Sequence, residues 1–336
     1  MRAARLHAVG DLRVGEEPEP AASAGMSLVR VTAVGICGSD LHWWDEGAIG
    51  DATLAHPLVL GHEGAGVIAE GPRRGERVAI DPAIADGTCR ACRDGYPNLC
   101  YRIRFAGHGE TDGMMRELMA WPTDLLHPLP DTVTDADGAL LEPLGVAIHS
   151  VDLGHLPFGG TAAVVGCGPI GLLLISVLKT AGASSVLAVE PLAHRREAAS
   201  RYGADLVAEP GAVDLRELTG AGVDVAFEAA GSRFNSGEAV RLTLESVRPG
   251  GRVVLAGIPG DDAIRFQASV ARRKGLTIAM VRRMNHVYPR AISLAARGGV
   301  DLGALVSRRE GLGEVKEAFG DAAHRTGLKV VIEPQR

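Results

Sequence analysis

The sequence predicts an α/β chain of two parts: a doubly wound parallel sheet, and a β-rich domain in the form of a partly open barrel. Three observations carry this. From Thr161 onward, β-branched strands alternate with apolar helical runs, the pattern of a parallel sheet with helices on both faces. Before that, short strands such as SLVRVTAVGI, GAGVIAEG and ERVAIDP are separated by Gly and Pro, with no long amphipathic helix between them. At the end, a helix (GLGEVKEAFGDAAHR) and a strand (KVVIEP) read as a return to the first part. The expected division is therefore residues 1–147 with 287–336 for the barrel, and 148–286 for the parallel sheet.

Length and composition agree with two ordinary cores. The chain has 336 residues, enough for about two domains of ~150 residues, and 46% of them are hydrophobic. Net charge is −6 without a basic block, which speaks against nucleic-acid binding. No apolar run reaches the ~18 residues of a membrane span. The opening MRAARLHAVGDLRV alternates like a strand and lacks the apolar stretch of a secretion signal, so the expected location is the cytoplasm. Five cysteines stand at 37, 89, 92, 100 and 167; an odd, clustered set argues for metal ligation over disulfides.

The stretch Cys37 to Glu63 holds a thiol, an imidazole and a carboxylate in Cys37, His62 and Glu63. These are the sulfur, nitrogen and oxygen donors of a three-ligand zinc site with one position left open. Ser39, Asp40 and His42 lie between them, groups suited to ordering a ligand or passing a proton. Taken alone, a Cys and a His this far apart more often never meet; the case depends on the segments that follow. Asp86, Cys89, Cys92 and Cys100 form D-x2-C-x2-C-x7-C, a lobe able to wrap one tetrahedral zinc with no open position. Such a site is structural; the alternative is a vestigial lobe with Asp86 solvated. Glu142, in the LEPL turn, would by itself be read as a helix-start carboxylate facing the helix dipole.

TAAVVGCGPIGLLLISVLKTAGASSVLAVE is the clearest segment. A strand (Thr161 to Val165) meets Gly166, Gly168 and Gly171, an apolar helix opens at Pro169 and Ile170, and a second strand ends at Glu190, nineteen residues past Gly171. This is the Rossmann-type dinucleotide fingerprint in its required setting. The first glycine makes the tight turn, the second admits pyrophosphate to the helix N-terminus, and the third lets helix and strand pack closely. Glu190 should accept hydrogen bonds from the adenosine ribose and repel a 2′-phosphate, so NAD is preferred to NADP; Arg195 and Arg196 soften that preference. VDVAFEAAG, a helix near Glu238 to Val247, GGRVVLAG and LTIAMV continue the alternation.

With CGSDLHWWDEGAIG, PLVLGHEGAG, the cysteine lobe, LLEPLGVAIHSV, VVGCGPIG and RRMNHVYPRAISL in this order, the chain resembles the zinc-dependent medium-chain alcohol dehydrogenases over essentially its whole length. Within them it is similar to the polyol branch of sorbitol and L-idonate dehydrogenases. The resemblance implies a GroES-like catalytic domain, a homodimer or homotetramer, and hydride transfer between NAD and a secondary alcohol of a polyol, sugar acid or related small molecule. It implies Cys37 and His62 as zinc ligands, with Glu63 and Glu142 as the two carboxylates near the metal. Trp43 falls where these enzymes place an aromatic beside the substrate, and Arg282 where some place an arginine on a hydroxyl. Ser39 would take the alcohol proton and pass it through the cofactor ribose to His42, while Asp40 orients the second nitrogen of His62. Both carboxylates on the ion at once would make the site negative and weaken its Lewis acidity. The expected resting set is thus Cys37, His62 and Glu63 with water, Glu142 exchanging or holding the water.

Two positions depart from the pattern: Asp86 replaces the first cysteine of the usual lobe, and Arg283 replaces an aromatic common in sorbitol dehydrogenases. Three rival readings remain. A zinc-free quinone reductase would lack the ligands, a non-catalytic NAD-binding protein would not need Ser39 and His42, and a threonine- or aminocyclitol-oxidising relative would share every ligand.

Overall fold

The computed structural model describes residues 1–212, 220–231, 236–259 and 263–336. It divides into two compact units, Met1–Glu142 with Tyr288–Arg336, and Pro143–Val287. The division falls a few residues ahead of the expected one, inside the first turn of the helix Leu141–Gly154.

The first unit is built around the strand Met26–Gly35, whose valines and alanines are buried on both faces. It pairs antiparallel with Glu63–Glu70, with Leu118–Pro122 and with the chain's last strand, Lys329–Ile332. The full sheet runs Leu126–Pro128, Arg77–Ile80, Glu63–Glu70, Met26–Gly35, Lys329–Ile332, Val306–Glu310, with Leu118–Pro122 branching from Met26–Gly35. Val29, Val31, Ile68, Ile80, Met114, Met119 and Phe319 fill its core. Two registers set the site: Gly35 stands opposite Glu63 and also opposite Val331.

One helix here is not anticipated by the sequence reading. Gly38–Glu46 follows directly on the central strand, with Cys37 as its N-cap in extended backbone. Asp40 closes the cap by accepting the Cys37 N–H at 2.9 Å, the reciprocal half of a capping box. Gly47, at φ 65°, ends it in the left-handed conformation that glycine takes without strain.

In the second unit six parallel strands run in the order Leu206–Ala208, Ser185–Val189, Thr161–Val165, Val223–Glu228, Val247–Leu255, Thr277–Met280. The helices Pro169–Thr180, Ala193–Arg201, Ser236–Ser246 and Ala268–Lys274 connect and cover them. The order reverses beside Thr161–Val165, the first strand of this unit, so the crevice at its carboxyl end is the topological switch point. No helix of the described residues is long and apolar enough to cross a membrane.

Candidate active site

Cys37, His62 and Glu63 come together in the first unit, with one donor atom of each within 4.8 Å of the others. The sheet register explains two of the three: Glu63 opens its strand opposite Gly35, and Cys37 lies two residues beyond Gly35. His62 is turned in by Gly61, whose φ of 92° is left-handed and whose absent side chain would otherwise strike Val34.

Asp40 locks the two segments together. It is fully buried; one oxygen accepts the Cys37 N–H, the other accepts the Gly61 N–H at 3.0 Å and lies 3.5 Å from His62 Nδ1. Nδ1 therefore faces Asp40, and Nε2 lies 3.4 Å from Ser39 Oγ. Burial pulls the His62 imidazole down, but Asp40 and Cys37 beside it hold it well above its ordinary value. The cluster thus favours a positive charge at the imidazole, which is what a divalent cation supplies in place of the proton. The donors fit zinc.

Lys329 is the residue the sequence reading missed. The last strand delivers it, buried, against Glu63, and its Nζ donates to Glu63 Oε1 at 2.8 Å, to Glu63 Oε2 at 2.7 Å and to the Ile36 carbonyl at 3.0 Å. The only available signal is a lysine opening an otherwise apolar strand, KVVI, since a buried ammonium demands a partner. Glu142, also buried, lies outside the cluster of three. Burial and nearby Glu63 raise its carboxyl to about 7, against the lowering pull of His62 and Lys329.

His42 is buried on the same helix as Ser39, with Nδ1 3.1 Å from Glu46 Oε1 one turn on. Glu46 was not anticipated either; it lies at i+4 on a helix that the sequence reading did not draw. Trp43 is 1% exposed, its ring edge-on to His108 at 5.4 Å between centroids. Arg282 belongs to the second unit, just past the strand Thr277–Met280, and Arg283 beside it adopts φ 57°.

The lobe brings Asp86, Cys89, Cys92 and Cys100 within 4.8 Å of one another. Cys89 Sγ is 3.5 Å from Cys92 Sγ and 3.8 Å from Cys100 Sγ, and Cys92 donates to Asp86 Oδ1 at 3.4 Å. All five cysteines are free thiols. Asp86 Oδ1 also accepts the Cys89 and Thr88 N–H groups, which hold its carboxyl far below the usual range. Burial, with the neighbouring thiols, pushes Cys92 up to about 12, so a thiolate there needs a bound cation.

In the second unit, Gly166 turns at φ 95°, and a Cβ there would press on the Ala230 backbone. A Cβ at Gly171 would fall on the Gly166 carbonyl, so helix and strand touch at that point. Gly168 is different: it caps the helix Pro169–Thr180 with no side chain in front, and only Arg195 comes near a Cβ placed there. Pro169 and Ile170 open the helix behind this bare N-terminus. Glu190 is buried and accepts the Cys167 N–H at 2.7 Å and the Leu192 N–H at 3.0 Å. Two amides leave lone pairs on both oxygens for further donors. Arg196 is engaged with the Glu190 and Pro191 carbonyls and with Glu209, and buried Arg195 is lowered by burial against the pull of Glu190.

The family model of the alcohol dehydrogenase GroES-like domain matches residues 23–131, and that of the zinc-binding dehydrogenases matches residues 169–297. Sorbitol dehydrogenase of Bacillus subtilis (strain 168) is 33% identical over 100% of this chain and 98% of its own length. L-Idonate 5-dehydrogenase of Escherichia coli K-12 superimposes with a TM-score of 0.93 at 28% identity, over 99% of this chain and 97% of that one. A dehydrogenase structure from Sinorhizobium meliloti 1021, bound to NADP, gives a TM-score of 0.90 at 31% identity over 99% of both chains. The chain belongs to the zinc-binding alcohol dehydrogenase family, oxidoreductases acting on CH–OH donors, and within it to the kin of the polyol and sugar-acid dehydrogenases.

Proposed function

We propose that this enzyme oxidises a secondary alcohol of a polyol or sugar acid with NAD, at a zinc held by Cys37, His62 and Glu63, with Glu142 as the exchanging carboxylate. The observation that carries it is the three-donor cluster tied together by buried Asp40. When bound, zinc supplies Lewis acidity toward the alcohol oxygen and the nicotinamide supplies the hydride acceptor. The chain's own groups do the rest. Asp40 orients His62 through Nδ1, leaving Nε2 as the nitrogen that would hold the metal. Ser39, beside that nitrogen, takes the proton of the substrate hydroxyl. His42, held through Nδ1 by Glu46, returns the proton to water through its other nitrogen. For the substrate, Trp43 of the first unit is proposed as a rigid wall, and Arg282 of the second as a hydroxyl donor.

For the cofactor, Gly166, Gly168, Pro169, Ile170 and Gly171 form the phosphate cradle and Glu190 takes the ribose hydroxyls, with Arg195 alongside. One relative is bound to NADP. The preference for NAD here rests on Glu190, whose charge sits at the end of the second strand of the fingerprint. Asp86, Cys89, Cys92 and Cys100 hold a second, structural zinc. The enzyme acts in the cytoplasm as a homodimer or homotetramer; light scattering on purified protein checks the assembly.

The test is a panel of sugar alcohols, aldonates, cyclitols and amino alcohols with NAD and with NADP, alongside metal analysis. NADH formation with a polyol or aldonate, lost in Cys37→Ser together with one zinc, is the expected result. Turnover confined to threonine or an aminocyclitol would move the enzyme to a sister activity, and zinc-independent quinone reduction would overturn the reading.

A further inference from the structure

Glu63 and Lys329 are 266 positions apart and both buried. The lysine's three N–H bonds go to three acceptors, two of them the oxygens of one carboxylate, so it has no donor left to turn elsewhere. Room for this arrangement comes from Gly35: a Cβ at that position would fall on Glu63 Oε2. A buried ion pair of this kind is a weak contributor to stability against an apolar pair of like volume, which makes its presence beside a metal cluster informative.

The charges show what it does. One thiolate and the carboxylates Glu63 and Glu142 carry one negative charge more than a divalent ion cancels, and buried Asp40 adds another; Lys329 offsets one of the two. Position matters as much as sign. An ammonium on both oxygens of Glu63 draws electron density from the lone pairs a metal would use and repels the ion behind them. Among the described residues the ammonium's hydrogen bonds go to Glu63 and the Ile36 carbonyl, none of them to Glu142. The carboxylate inside the cluster is thus held by the ammonium, and the one outside it is not.

We propose that Lys329 is a positioning residue of the metal centre: its clamp on Glu63 weakens that carboxylate's grip on the metal and so keeps Glu63 and Glu142 exchangeable. The proposal rests on the reading of Cys37, His62 and Glu63 as a zinc site.

The experiment uses the full-length enzyme with zinc and, separately, with cobalt(II), comparing wild type, Lys329→Met, Lys329→Gln and Lys329→Arg. Zinc transfer to a chromogenic chelator and the cobalt d–d absorption are followed, with Cys37→Ser identifying which part of each signal belongs to this site. Methionine keeps the volume and removes the clamp. The site's zinc should then leave about tenfold more slowly, on the scale by which residues around metal ligands alter affinity. The Cys37-dependent cobalt bands should shift as Glu63 holds the metal without exchanging for Glu142, and kcat should fall with little change in KM. Arginine, which keeps the charge, should restore most of the wild-type release rate. Glutamine, which leaves one oxygen free and is gentler on folding, should move each readout the same way by less. Faster zinc loss in both neutral variants, or cobalt bands unchanged in them, would show Lys329 to be fold support and overturn the proposal. Cobalt bands in the wild type that ignore Cys37→Ser would instead remove the metal site itself, and the proposal with it.

Discussion

Asp40 shows how much of the site depends on one side chain. Its two oxygens join the helix cap at Cys37, the turn at Gly61 and the ring of His62. Asp40→Asn leaves the volume unchanged but removes the charge and turns one acceptor into a donor. We expect zinc at this site to bind 10- to 100-fold more weakly, the range for residues that orient metal ligands. Competition with a chelator measures it, and unchanged affinity would show that His62 needs no orienting anion. Glu190 carries the second residue-level prediction. Its charge should favour NAD over NADP by at least tenfold in kcat/KM, ~1.4 kcal/mol of transition-state binding. Equal use of both cofactors would refute this and turn attention to Arg195. Residues with a motif around them were legible in the sequence, as Gly166, Gly168 and Gly171 were. Lys329 was not, because its partner is fixed by sheet register and by no local spacing.

Among the elements, the helix Gly38–Glu46 was the hardest to read. Nine residues with two adjacent tryptophans show little helical periodicity, so the turn-like GSD looked like the start of a loop. The usable signal was at its ends, Cys37 and Asp40 in capping-box spacing and Gly47 after the last turn. The lobe was the reverse case, legible from spacing alone, and its four donors do converge. Its prediction follows from the lack of an open position. If the four donors hold zinc as proposed, removing it should lower thermal stability and leave kcat of the surviving enzyme within about twofold, since a closed four-ligand site offers no position for a reacting atom. Asp86→Cys should slow zinc release from the lobe, because a thiolate replaces an oxygen already engaged by two amides. Scanning calorimetry with zinc counted per chain checks both. A kcat that falls in step with lobe zinc, at constant fold, would count against a structural role.

At the scale of the whole molecule, the two units differ in how the chain closes them. Pro143–Val287 is one continuous stretch with its own parallel sheet and a core of Val165, Val189, Ala226, Val240 and Val253. The other unit is discontinuous: Lys329–Ile332, from the chain's end, lies inside the sheet between Met26–Gly35 and Val306–Glu310. Without it the central strand has an open edge, Ile36 loses its amide bond to the Val330 carbonyl, and Glu63 is left as a buried, unpaired anion. The sequence pointed to this return through the helix and strand at its end, while saying nothing of which strand they join. The expectation is therefore asymmetric. A fragment of residues 143–287 should be soluble, unfold cooperatively and quench or enhance NADH fluorescence on binding, since its crevice and Glu190 are complete. A fragment of residues 1–142 should fail to fold, through loss of the inserted strand and the exposure of Val31, Val34 and Ile36. Adding residues 288–336 to its end through a flexible linker should restore cooperative unfolding and zinc binding, because the linker only has to return the strand to its slot. Cooperative unfolding of 1–142 by itself would show that the last strand only decorates this unit, and would remove the structural ground for giving Lys329 a place at the metal.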